Sequence, residues 1–423
     1  MHLKHRWGFS IGLVVLLFTV LLSGATLVEA SKPVPDAGTS QPNLPFSIHI
    51  PFLSNPGPGP EYIVLGWNDL GMHCYNRNFA NIAILPPYNN LYVQVIKRGD
   101  PPQILSSGLN VEYSFPLNTY SVGKSDFWDH AEQLFGVALP PNIGLTGKGL
   151  AGPMDNLGDH FVAEGIPLTE YNDSDWNTRQ PYQLADIVVK DSQGKVLATN
   201  QVVAPVSTEM HCDNCHSDGA FDISTGNVET NILTLHDNEV EGEYPPGHSG
   251  PLMNRRPILC AECHASNALG APGVPGVPNF SNAMHEKHSG KVPNTTEGCY
   301  NCHPGPSTKC LRDVMSTNYS MGCTDCHGNM DQVKNNPNPW LNEPRCDTCH
   351  IGPAYHQDQA LYRQSKGHGG VYCEGCHDST HAIAQSSQPE DAVKFVNLQG
   401  YPGTLNKCTV CHLTQPTSGG PHQ

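Results

Sequence analysis

From Glu61 to Val206 short apolar runs alternate with polar positions and stop at turn residues. Residues 62–67, 91–96, 111–115, 185–190 and 196–203 have the length and two-residue period of strands. Asp191-Ser192-Gln193-Gly194 supplies a turn between the last two. The pattern predicts a β-rich domain over residues 61–206, a sandwich or barrel, with a Gly/Pro-rich insertion between about residues 140 and 167.

After Val206 this periodicity stops and a repeat takes over. Cys-x-x-Cys-His occurs seven times: Cys212, Cys215 and His216; Cys260, Cys263 and His264; Cys299, Cys302 and His303; Cys323, Cys326 and His327; Cys346, Cys349 and His350; Cys373, Cys376 and His377; Cys408, Cys411 and His412. Two thiols one helical turn apart suit addition to the two vinyl groups of one porphyrin, and the adjoining imidazole then stands under the iron as its proximal ligand. Structural zinc takes two cysteine pairs per ion, and seven pairs do not divide by two; zinc also has no need of a histidine after every second cysteine. Redox-active or disulfide pairs meet the same objection. The repeat therefore predicts seven covalent haems c over residues 207–423.

The N-terminus has the layout of a secretory signal over residues 1–30: a basic start, an apolar run and a small residue at Ala30. Uncut, residues 9–28 are long enough to span a bilayer. Residues 31–60 carry eight prolines and read as an extended linker. An exported protein, periplasmic, cell-surface or extracellular, is expected. Only 38% of the chain is hydrophobic, so something other than aliphatic side chains is expected to fill part of the core.

Through its seven motifs, the segment 207–423 resembles the multihaem c-type cytochromes of respiratory and extracellular electron-transfer chains. That resemblance implies a cytochrome c domain of low secondary structure, with short helices around stacked haems, following the mainly-β domain. It also implies that most irons carry a second, distal histidine. The candidates are His285 and His288 on one helical turn, His368 and His381 flanking the sixth motif, His236 and His248 between the first two motifs, and His211, His73 and His356. His49, His130, His160 and His422 read as loop or solvent histidines. Asp126, Asp129 and His130, or Asp155, Asp159 and His160, read as solvated turn residues rather than a metal site.

A net charge of −16, before any haem propionate, disfavours nucleic acid and favours cationic redox partner proteins or metal and mineral acceptors. Two classes of function compete. One is an electron conduit with every iron closed, alone or as a homo-oligomer or filament, with no catalytic residue. The other is a multihaem oxidoreductase resembling the nitrite, tetrathionate or hydroxylamine enzymes, with one open iron; the lysine-terminated motif that marks some of these is missing from this sequence. Cys74 and Cys310 remain after the fourteen motif thiols and are expected to pair as a disulfide. Closing so long a loop stabilises by up to roughly 5 kcal/mol on the chain-entropy model. Cys74-Tyr75-Asn76-Arg77-Asn78 starts like the third motif but lacks its second thiol and its histidine, so no haem is expected there.

Overall fold

The computed structural model describes residues 59–423, apart from positions 249, 339–342, 353–354, 418–419, 421 and 423. The expected signal, most of the linker and His49 lie outside the described residues. Among the described residues no helix is long and apolar enough to cross a membrane.

The first part of the chain is mostly β, and its elements run β1 (Tyr62–Trp67), β2 (His73–Cys74), β3 (Ile82–Ala83), β4 (Asn89–Lys97), β5 (Gln103–Leu105), β6 (Leu109–Ser114), α1 (Phe127–Phe135), β7 (Ala151–Pro153), β8 (Asp155–Asn156), β9 (Phe161–Ile166), β10 (Tyr182–Asp191) and β11 (Val196–Ser207). One sheet centres on β4, which pairs antiparallel with β1, β5 and β9, and β8 lies beyond β9. The other runs β2-β11-β10-β6-β7. Alternate residues of β10, including Ala185, Ile187 and Val189, are buried. They join Val64, Leu91 and Val93 of the first sheet in one core, so the two sheets face each other. At Gly66 any Cβ would fall 2.3 Å from Val202 Cγ2, so the approach of β1 to β11 requires glycine there.

Two elements depart from the sequence reading. The expected insertion contains three strands, and β9 sends Phe161, Ala163 and Ile166 into the core. Gly165, at φ 78°, is the extra residue where the β4–β9 register shifts, and this bulge hides the strand among turn-forming residues. Helix α1 was not anticipated either; it packs Phe127, Ala131 and Leu134, spaced for one helix face, on Phe79 and Ala83.

Beyond β11 the chain carries short helices: α2 (Val228–Val240), α3 (Phe280–His288), α4 (Thr296–Cys299), α5 (Val314–Tyr319), α6 (Cys323–His327), α7 (Met330–Lys334), α8 (Cys373–His377) and α9 (Pro389–Gln399). A last strand, β12 (Ile258–Leu259), pairs with β3. Of the 42 buried apolar side chains among the described residues, only nine lie after Ser207. Several of these nine lean on the sheets: Val410 packs on Ile63, Leu65 and Ile96 across the outer face of β1 and β4, and Ile258 packs on Ile82. The second half has little aliphatic core of its own.

Polar seams tie the halves together. Arg98 donates to the carbonyls of Thr409 (2.9 Å) and His412 (3.2 Å). Arg312, fully buried, makes two bonds to Asp391 (2.7 and 2.9 Å) and donates to the carbonyl of Gly71 at 2.7 Å. Lys394 is buried between Asp378 (2.8 Å) and the Gly66 carbonyl (2.9 Å).

Candidate functional site

Each Cys-x-x-Cys-His forms one tight turn. The histidine N–H of the first, second, third, fifth and seventh copies donates to the carbonyl of the first cysteine at 2.8, 3.1, 3.0, 2.9 and 2.9 Å, while the fourth and sixth copies are α6 and α8. The i, i+3 spacing sets both thiols on one side of the turn.

Six motif imidazoles face a second imidazole. The ring centroids lie 6.3 Å apart for His216 and His288, 6.2 Å for His264 and His236, and 6.2 Å for His303 and His285. They lie 6.0 Å apart for His327 and His381, 5.7 Å for His377 and His422, and 5.9 Å for His412 and His368. With metal–nitrogen bonds of about 2.0 Å and centroids about 1.2 Å beyond the nitrogens, two imidazoles on opposite sides of one iron stand about 6.4 Å apart.

Four of these rings have the second nitrogen hydrogen-bonded, whereas Nδ1 of His236 is buried without a partner. Nδ1 of His285 donates to the Ser281 carbonyl at 2.7 Å, Nδ1 of His288 to Met284 at 2.7 Å, and Nδ1 of His264 to Pro278 at 2.8 Å. The His216 Nδ1 lies 3.0 Å from Asn231 Oδ1. A proton on Nδ1 leaves Nε2 with a free lone pair, the arrangement that outer-shell partners impose on metal-bound histidine. Burial and then His285, His327 and His381 lower the His303 pKa to about 4, and burial with His422 lowers that of His377 to about 4. Both rings are thereby held in the neutral form that binds metal.

Of the expected distal histidines, His285, His288, His368, His381 and His236 are brought to a motif imidazole. His248, His211, His73 and His356 are not; each rests on a carboxylate, Glu262 (3.8 Å), Glu209 (3.1 Å), Asp69 (2.9 Å) and Asp347 (3.8 Å) respectively. His73 and His211 present Nε2 itself to the carboxylate. His422, read from the sequence as a loop histidine, faces His377 instead; a position so near the end of the chain gave no local signal. His130 and His160 lie on Asp126 (3.7 Å) and Asp159 (2.8 Å). Among the described residues no three His, Cys, Asp or Glu side chains are grouped so as to hold a metal ion.

Thiols of different motifs lie near enough to influence one another. Burial and then Cys215 push the Cys302 thiol up, and burial and then Cys411 push Cys376 up to about 12. Cys323 and then burial raise the Cys299 thiol, burial and then Asp313 and Cys349 raise Cys326, and burial and then Cys346 raise Cys373. Asn214 donates to Asn301 Oδ1 at 2.6 Å, joining the first and third motifs. Helix α2 sets Asn231 on the first motif and His236 on the second. The spatial order is thus second, first, third, fourth, fifth, sixth, seventh.

Apolar side chains beside the motifs stand in the open, notably Phe221, 5.5 Å from His216, and Ile351 and Leu413, each next to a motif histidine. Glu374, inside the sixth motif, is buried with neither oxygen hydrogen-bonded, and burial with Asp69 nearby pushes its pKa well above the usual carboxyl range. Cys74 and Cys310, expected to pair as a disulfide, are two free thiols in this structure. Burial and the nearby Cys310 and Glu170 raise Cys74; Cys310, also raised, reaches about 11, chiefly through burial.

The chain matches no family model, no curated protein and no solved structure.

Proposed function

We propose that the chain is an exported electron-transfer protein carrying seven covalent haems c, six of them closed by histidine on both sides. The observation that carries this reading is the set of six imidazole pairs at 5.7–6.3 Å. The scarcity of buried apolar residues after Ser207 supports it independently. Each haem, when bound, would supply a one-electron redox centre, and paired imidazole ligands favour transfer without substrate binding.

The protein's own residues have three tasks. The motif cysteines would tether the haems, and the paired histidines would supply nitrogen ligands to their irons. Backbone carbonyls and Asn231 hold four of the rings, His216, His264, His285 and His288, in one tautomer, so a change of oxidation state would require little rearrangement of those ligands. The order inferred from the thiols makes a single row, with the second and seventh motifs at its ends. The acidic surface favours cationic redox partners, or metal and mineral acceptors, and weakens such docking as ionic strength rises. A homo-oligomer or filament would extend the row at those ends.

The test is the exported protein itself. Haem content of seven per chain by pyridine haemochrome, with at least six low-spin ferric haems by electron paramagnetic resonance, is expected. A chain that matures and folds without covalent haem would overturn the reading.

A further inference from the structure

We propose that the iron held by His350 keeps its sixth position for an exogenous ligand, making the fifth motif a small-molecule binding site within the row. The inference rests on the haem reading above. Every histidine after residue 58 is described, nineteen in all. Seven end motifs, and six face motif histidines. The last six lie on carboxylates. His350 is the motif imidazole left without an imidazole partner among them.

What stands beside it is Tyr355, with ring centroids 5.6 Å apart and planes at 40°. A phenolate on iron opposite an imidazole would hold its ring about 7 Å away, given a comparable metal–oxygen bond and the extra reach of the phenol. Tyr355 thus packs against the His350 ring rather than closing the iron, and its ring centroid lies 6.3 Å from that of His422. His356 follows directly, but its Nδ1 is turned to Asp347 at 3.8 Å and its side chain is 73% exposed. Ile351 is 89% exposed, so solvent reaches this flank.

The chemistry of the flank selects the ligand. Asp347 is paired with Arg345 (2.7 Å) and Glu343 with Arg363. Each carboxylate is paired with an arginine, so these two pairs add no net positive charge that would attract an anion. A small neutral π-acceptor, a diatomic of the carbon monoxide or nitric oxide kind, fits best. The site also has redox neighbours on both sides, through Cys349 to the fourth motif and Cys346 to the sixth.

The experiment uses the purified holoprotein with carbon monoxide as probe. One carbon monoxide per seven haems in the reduced state and one high-spin haem in the ferric state are expected. The double variant Cys346→Ala, Cys349→Ala should lose both signals and keep six low-spin haems. If that variant does not accumulate, His350→Lys changes only the proximal donor, and the high-spin spectrum must change with it. His356→Ala should leave carbon monoxide binding as it was. Seven low-spin haems with no carbon monoxide shift would overturn the inference and leave the haem reading intact. Binding that survives in the double variant, or an unchanged high-spin spectrum in His350→Lys, would also overturn it. A haem count of zero would overturn the parent reading instead.

Discussion

Glu209 illustrates how single residues hold the seam. Its carboxylate is buried, which raises its pKa, but hydrogen bonds from Thr308, from the Ser307 and Thr308 N–H groups (3.0 and 2.5 Å) and from His211 outweigh this and hold it at about 2. A carboxyl depressed in the folded state contributes stability above its unfolded pKa, and that contribution is lost as pH falls through the folded value. Between about pH 4.5 and 2 the native protein should therefore lose stability to urea, and Glu209→Gln should flatten that part of the profile. The Arg312–Asp391 pair is a second case. Asp391→Ala leaves a buried guanidinium unpaired and should cost about 3–5 kcal/mol in urea unfolding, whereas replacing both partners by apolar residues of similar volume should cost much less.

At the scale of elements, α3 is the clearest device. Asn279 caps its start by accepting from the Asn282 N–H at 2.8 Å, and its last turn carries His285 and His288 to two different motifs. On the proposed haem reading, His285→Ala should open the third iron alone and His288→Ala the first alone, each adding one high-spin haem by electron paramagnetic resonance. Helix α2 depends on Asn227, whose side chain accepts from Thr230 N–H at 2.9 Å; Asn227→Ala should cost about 1 kcal/mol in thermal unfolding. These short elements were partly legible beforehand. The helical turn at 283–288 was readable from the spacing of its histidines, as was most of the strand pattern. Strand β9 was not, because its bulge at Gly165 breaks the alternation, and α1 was not, because its apolar face is short and matters only against Phe79 and Ala83.

For the whole molecule, the division of apolar burial decides what folds alone. The two sheets share a dense core, whereas residues after Ser207 bury few apolar groups. Chains produced without haem should be cut by protease mainly after Ser207, while a core containing the sheets survives, detectable by mass spectrometry of the fragments. The halves also meet at Gly71, whose positive φ of 71° and any Cβ only 1.9 Å from the Thr380 carbonyl leave room for no other residue. Cys74 and Cys310 lie in the same seam. If oxidation closes them while the fourteen motif thiols carry haem as proposed, a thiol assay on the denatured, unreduced chain should find no reactive sulfhydryl; two would show an open seam.

The sequence by itself determined the motif count, the turn that each motif forms, the position where β character ends, and the excess of histidine over motifs. Those features are local, set by spacing along a few residues or by composition. Only the tertiary structure decided which histidine meets which motif. Spacing could not separate His236 from His248, or foresee His422, because each pairing closes across tens of residues and depends on where a carboxylate lies. It also set the spatial order of the motifs, which departs from chain order because α2 and α3 fold the second motif back beyond the first. His350 shows the difference most clearly: identical in sequence to its six counterparts, it is distinguished only by what packs beside it.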